Sequence, residues 1–276
     1  MESAIARALS LKYGPLAILL TNEKPVGARQ FKEGKFGCVM AMLAAAVRGN
    51  FVVFDRKTFG CPGGGTGLGF GNQYLNFPGG VEGFCYFLSE GCEQWEPGMR
   101  LVEDIKPFVS EDIYDDFVHG ERYAKTPELV KKFVENLPII DVPFEYVVFK
   151  PLKDIDPEKE RPEVVVFLAD MDQLSALVVL ANFDRANNES VIIPQAAGCQ
   201  SIGIYPFREA RQERPRAVVG LVDISARVQM KRSLKVDLMT FAAPFAMFRE
   251  MEENVPCSFL VRNTWRELMR LKGQGG

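Results

Sequence analysis

Apolar residues in this chain fall into short unbroken runs: LAILLT at 16–21, FVVF at 51–54, EYVVF at 145–149, VVVFL at 164–168, VII at 191–193 and AVVGLVDI at 217–224. Each is bounded by polar residues, Gly or Pro. Runs this short and this rich in Val, Ile and Phe predict strands, most of them buried on both faces. Residues 238–242 predict one more. Helical stretches lie between them. Residues 1–13 end at Gly14-Pro15, and 38–48 (CVMAMLAAAVR) stop at Gly49-Asn50. A further helix is expected at 81–89, and two more between 97 and 137, divided where Thr126 caps and Pro127 takes the first helical position. Residues 170–183 follow, capped by Asp170 or Asp172, and 244–253 and 258–271 close the chain. A short segment, 201–205, is ended by Pro206.

Strands alternating with helices predict an α/β or α+β fold, with a mixed sheet and flanking helices in one domain spanning 1–276. The order strand, helix, short strand, Gly-Cys occurs at 16–61 and again at 164–199. It reads either as an internal duplication, with halves of roughly 10–135 and 145–270, or as the ordinary repetition of α/β units.

Composition narrows the function classes. With 276 residues, a net charge of −3 and 25% charged residues, the chain has no basic field to attract nucleic acid or anionic lipid. The longest early apolar run, PLAILL, is far short of the ~20 residues that span a bilayer. The N-terminal segment has no signal-peptide pattern, and the protein reads as cytoplasmic.

The densest chemical signal is Thr58 to Tyr74, TFGCPGGGTGLGFGNQY, in which seven of the twelve residues from Gly60 to Gly71 are glycine. Such a run predicts a loop whose backbone turns sharply or approaches something closely. Its N–H groups, from Gly63, Gly64, Gly65, Thr66 and Gly67, could bind a small anion or a cofactor phosphate. A nucleotide fingerprint is weak, because no helix-opening sequence follows Gly71 and no G-x-x-x-x-G-K-[ST] occurs.

Six cysteines stand at 38, 61, 85, 92, 199 and 257, beside a single histidine, His119. In a chain this long without a secretory pattern, reduced thiols, a metal site or catalysis are expected over disulfides. Sites needing several histidines are excluded by counting. Four of the cysteines follow a glycine: Cys38, Cys61, Cys92 and Cys199. A glycine there leaves room for sulfur, or for a bulky inorganic group, against the backbone. Cys38 is placed at the first turn of a helix, where the dipole should lower its pKa. Cys85 and Cys257, in apolar settings, read as packing residues, Cys92 is ambiguous, and His119 reads as solvated. No C-x-x-C occurs, so any shared site must assemble Cys38, Cys61 and Cys199 from separate segments. Asp223, Ser225 and Arg227 follow the last buried run. Arg227 either holds an anionic group or pairs with Asp223.

Five motifs together, FGCVM (36–40), TFGCPGGGTGLGFGNQY (58–74), FPGGVEGFCYFLS (77–89), AAGCQSI (196–202) and VGLVDISAR (219–227), resemble the domain-of-unknown-function 169 family of anaerobic bacteria and archaea over roughly residues 10–270. The resemblance implies that cysteines at 38, 61 and 199 recur, with an arginine at 227. Many members carry a further Gly-Cys where this chain has Gly220-Leu221-Val222-Asp223, so a fourth ligand is here missing or replaced by Asp223.

Three thiols from three segments, together with that pattern, point to a 4Fe–4S cluster with one iron left open, ligated by Cys38, Cys61 and Cys199. The reaction expected is redox or lyase-type chemistry on a small anionic molecule held by Gly63–Gly67 and Arg227. The expected partners are that molecule and, for redox work, an electron-transfer protein, and a homodimer is compatible with the sequence. A cluster-free binding or sensing protein, and an enzyme using Cys61 or Cys38 as nucleophile, are the alternatives.

Overall fold

The predicted apolar runs become strands. In a computed structural model, which describes residues 1–235 and 237–274, the strands are β1 (Leu16–Thr21), β2 (Val52–Phe54), β3 (Tyr146–Pro151), β4 (Val164–Ala169), β5 (Val191–Ile192), β6 (Ala217–Gly220) and β7 (Met239–Pro244). They join in one sheet of order β2-β3-β1-β4-β7-β6-β5. Neighbours are antiparallel except β5 and β6, which are parallel, so the sheet is mixed and the fold is α/β.

The central strands are buried on both faces, which is why their sequence does not alternate. On β1 and β4, Leu16, Ile18, Val164, Val166 and Leu168 face one core, and Ala17, Leu19, Val165, Phe167 and Ala169 face the other. The first core is covered by α2 (Val39–Ala46), α9 (Gly198–Ile202), α10 (Ile204–Glu209) and α11 (Ile224–Leu234). The second is covered by α1 (Ala4–Ala8), α8 (Met171–Ala181), α12 (Phe245–Asn254) and Trp265 of α13 (Asn263–Gln274). The repeated order at 16–61 and 164–199 therefore puts its first helices, α2 and α8, on opposite faces. A two-fold axis between antiparallel β1 and β4 would keep them on the same face.

Three sequence expectations change. The glycine run is no open loop, since Pro62–Gly67 forms a short helix, α3. The strand expected over 217–224 stops at Gly220, and Asp223 then caps a helix that the apolar pattern did not reveal. Between them Leu221 takes φ +62 with its side chain buried, a conformation a branched residue holds only under constraint. Between 97 and 137 there are three helices instead of two: α5 (Gly98–Ile105), α6 (Glu111–His119) and α7 (Pro127–Glu135). The division that was missed falls after Pro107, where Ser110 begins α6. Asp170 caps α8 with a full capping box to Gln173, as its position predicts.

Packing divides the chain into two units, residues 71–139 forming one and the remainder the other. The sheet and its helices belong to the larger unit, where Val142 N–H donates to the Gly69 carbonyl at 2.8 Å. In the smaller unit, α4 (Gly80–Leu88) joins α5 and α6 around an aromatic cluster and also packs against α7. Phe77 packs on Phe84, Phe87 and Phe117 there, with ring centroids 5.3 to 5.5 Å apart. Cys85 and Cys92 are buried in this unit, and burial pushes both thiols up to about 11. Among the described residues no helix is long and apolar enough to cross a membrane.

Among the described residues of the larger unit one carboxylate is buried. Glu209, 1% exposed, takes two hydrogen bonds from Arg216 (both 3.0 Å) and two from Arg208 (2.8 and 3.2 Å). Burial pushes its carboxyl up, but the arginine bonds and charges outweigh burial and hold it below the ordinary value.

Candidate functional site

Four helices on the first face of the sheet begin near one another, and each begins with a residue of chemical interest. Cys38 is the N-cap of α2, Cys61 the N-cap of α3 and Asp223 the N-cap of α11. Cys199 is the second residue of α9. The three cysteines thus come together, although they arise from separate stretches of chain.

Glycines let these helix starts approach. Gly60, at φ +86, passes against the Gly37 carbonyl, where a Cβ would overlap that oxygen. A Cβ on Gly198 would stand 2.9 Å from Met40 Sδ in α2 and 3.0 Å from Ala226 Cβ in α11. On Gly67 it would meet Cys199 Sγ, the Cys199 carbonyl carbon and the Gln200 nitrogen, all at 2.8 Å. The glycine before each of these cysteines therefore makes room for neighbouring protein, which sequence alone could not separate from room for an inorganic group.

Several polar groups of the glycine helix already have partners within the protein. Gly64 N–H donates to Cys61 Sγ at 3.2 Å and Gly65 N–H to the Cys61 carbonyl at 2.9 Å. Thr66 is buried and its carbonyl accepts from Gly69 N–H, while the Gly63 carbonyl accepts the Cys199 thiol at 3.1 Å. Cys199 is buried, and Cys38 and Cys61 are half-buried.

All three thiols are pushed up from the ordinary 9.0. For Cys38 burial is the largest cause. The N–H groups of Met40 and Ala41 pull the other way, and the Asp223 charge adds to the rise. The helix start alone predicts the opposite direction, so burial has overridden it. Cys61 is pushed up to about 11 by burial, with Cys38 and Asp223 adding to it against the Gly64 and Gly63 N–H groups. Cys199 rises furthest, through burial and then the charges of Cys61, Cys38 and Asp223. Each thiolate would thus feel the others and Asp223 as neighbouring negative charges. Without a cation the three stay protonated near neutral pH.

Asp223 uses its Oδ1 to cap α11, accepting from Ala226 N–H at 3.2 Å and Ser225 Oγ–H at 2.8 Å. Its Oδ2 accepts from Gly198 N–H, beside Cys199, at 3.4 Å. Arg227 pairs with Asp237, not with Asp223, and donates to the Leu221 carbonyl at 3.3 Å and toward Met239 Sδ at 2.9 Å. It thereby braces the turn that presents Asp223. The start of α11 was missed, yet Asp-x-Ser-Ala directly after a strand is a usable capping signal. Cys257 is exposed, and His119 lies on the surface of the smaller unit beside Glu93 at 3.1 Å. Among the described residues, no three His, Cys, Asp or Glu side chains close on a single metal ion.

These features define an α/β protein with three buried or half-buried thiols and a carboxylate gathered at helix starts under one face of a mixed sheet. The chain belongs to the DUF169 family, described as uncharacterised ArCR, whose profile matches residues 4–254. No curated protein and no solved structure matches it.

Proposed function

We propose that this protein binds a 4Fe–4S cluster through Cys38, Cys61 and Cys199, with one iron left without a cysteine. The observation that carries the reading is the grouping of these thiols and Asp223 at four neighbouring helix starts. Thiolates placed so close would repel one another, whereas iron would displace the thiol protons and take up the thiolate charge. Among the described residues the arrangement offers a lone ion no three donors. A cluster spreads its ligand sulfurs over several ångströms and draws one thiolate to each of three irons. Rotation of Cys199 away from the Gly63 carbonyl would free its sulfur for that role.

When bound, such a cluster supplies electron transfer and, at the iron without cysteine, Lewis acidity toward a small anionic molecule. The chain holds it and tunes it: N–H groups of Met40 and Ala41 face Cys38, that of Gly64 faces Cys61, and that of Gln200 faces Cys199. Donors to ligand sulfur ease reduction by offsetting negative charge. A thiol-nucleophile reading is disfavoured because it needs a lowered pKa and all three thiols move upward. An anion-binding glycine loop is disfavoured because the Gly64 and Gly65 N–H groups already have acceptors.

Protein purified without oxygen, or rebuilt with iron and sulfide, is expected to show broad visible charge-transfer absorption with iron and sulfide in equal amounts. Cys61→Ala should lose most of that iron, while Cys257→Ala, at an exposed thiol, should keep it. A colourless wild type after rebuilding, or full iron in Cys61→Ala, overturns the reading.

A further inference from the structure

Helix α1, the end of α2 and the end of β3 enclose a cavity of about 610 Å³. Small-molecule sites occupy about 300–1,000 Å³. We infer that this cavity binds a small organic anion with an apolar body. Its floor is apolar: Pro15 and Leu16 at the start of β1, and Pro151 and Leu152 at the end of β3, all four buried. Its rim is cationic: Arg7 of α1, Arg48 just beyond α2, and Lys153, all three exposed. Glu2 is the one carboxylate among the lining residues, and it is paired with Arg7. Arg48 donates to the Ser233 carbonyl, which leaves its charge uncompensated. Among the described residues neither Arg48 nor Lys153 has a carboxylate partner.

A helix end opposes an anion through its free carbonyls. Here the carbonyls of Leu43, Ala45 and Ala46 already accept from Val47, Arg48 and Gly49 N–H. Gly14 also lines the cavity, and a Cβ there would meet nothing within 4 Å, so no close packing demands a glycine at the opening. Exposed cations alone attract anions weakly. Set above an apolar floor, they select a molecule that carries both halves: a phosphate or carboxylate for the rim and an aliphatic or aromatic body for the floor. The eight residues of α2 span about 12 Å. The cavity lies at the end of that helix opposite to Cys38, so this site is independent of the cluster reading.

The test is calorimetric titration of the full chain with phenyl phosphate and with phenylacetate, which share an apolar body and differ in the anionic head. Inorganic phosphate and phenol each carry one half of the recognition. At least one of the two whole probes is expected to saturate a single site, and the tighter one identifies the preferred head. Each half-probe should bind about tenfold more weakly or worse. Arg48→Gln combined with Lys153→Gln changes two exposed side chains and should weaken the better probe by about tenfold or more. Gly14→Leu, which places a side chain at the opening, should abolish binding. Thermal melts of these variants separate lost binding from lost folding. Saturation by neither whole probe overturns the site. So does an affinity unchanged in the double variant, which would place any binding elsewhere on the protein.

Discussion

Gly203→Ala is expected to abolish folding or leave a protein with a melting temperature on the order of 10 °C lower. A Cβ at Gly203 would overlap the Gly67 carbonyl oxygen and come within 3.1 Å of the Cys199 carbonyl oxygen. Both obstacles are backbone, so no rotamer change relieves them. Relief needs α3 and α9 to separate, which would also part Cys61 from Cys199. Overpacking in a side-chain core costs about 1–3 kcal/mol. Backbone meeting backbone should exceed that and reach the exceptional range of about 4 kcal/mol or more. Gly67→Ala should behave similarly, since its Cβ meets Cys199 and Gln200 at 2.8 Å. Gly14→Ala is the control. Its Cβ has nothing within 4 Å and its φ is not positive, so it should leave the melting temperature unchanged or slightly higher. Calorimetry of the three variants decides the matter, and a Gly203→Ala protein that melts with wild type refutes the packing account.

Arg216→Ala should cost about 3 kcal/mol at neutral pH, because it strips the bidentate partner from a buried carboxylate. Glu209→Met should cost less, since it removes the buried charge itself and leaves two arginines that already reach solvent. The pH dependence separates the two. In wild type the folded-state pKa of Glu209 is below the ordinary 4.5. Its contribution is therefore fully present above 4.5 and is lost as pH falls through the lower, folded value. In Arg216→Ala burial becomes the stronger influence and the folded pKa moves above the unfolded one. That variant then gains stability as pH falls toward 4.5. The gap between wild type and Arg216→Ala should narrow between pH 7 and 4.5, measured by urea unfolding. A gap constant over that range would show that Glu209 does not carry the effect.

The site itself was half legible in sequence. Cys38, Cys61 and Cys199 stand out because they follow glycine and because their motifs match a family pattern. Asp223 was visible as a residue after a strand, but its helix was not. Residues 224–234 carry too little apolar periodicity, and α11 is held by three buried side chains, Ala226, Met230 and Leu234. Arg227 has a partner, Asp237, that lies ten residues on across a turn, a pairing that composition could not choose over Asp223.

What the sequence determined by itself was whatever local chemistry controls. Short runs of Val, Ile and Phe bounded by polar residues, Gly or Pro favour strands, so the strands were readable, the central ones buried on both faces and β5 half-exposed at the edge. Thr126 and Asp170 cap their helices through their own side chains, within three residues, so those starts were readable too. Tertiary structure alone decided the rest. Glycine costs a helix about 1 kcal/mol per residue relative to alanine, so by propensity 62–67 reads as a loop. It is a helix because α9 lies where side chains would be, and that neighbour is more than a hundred residues away. The direction of the Cys38 shift was reversed for the same reason. Its own helix start favours the thiolate, but burial and the charge of Asp223 are set by segments distant in the chain, and at short range in a low dielectric they outweigh it.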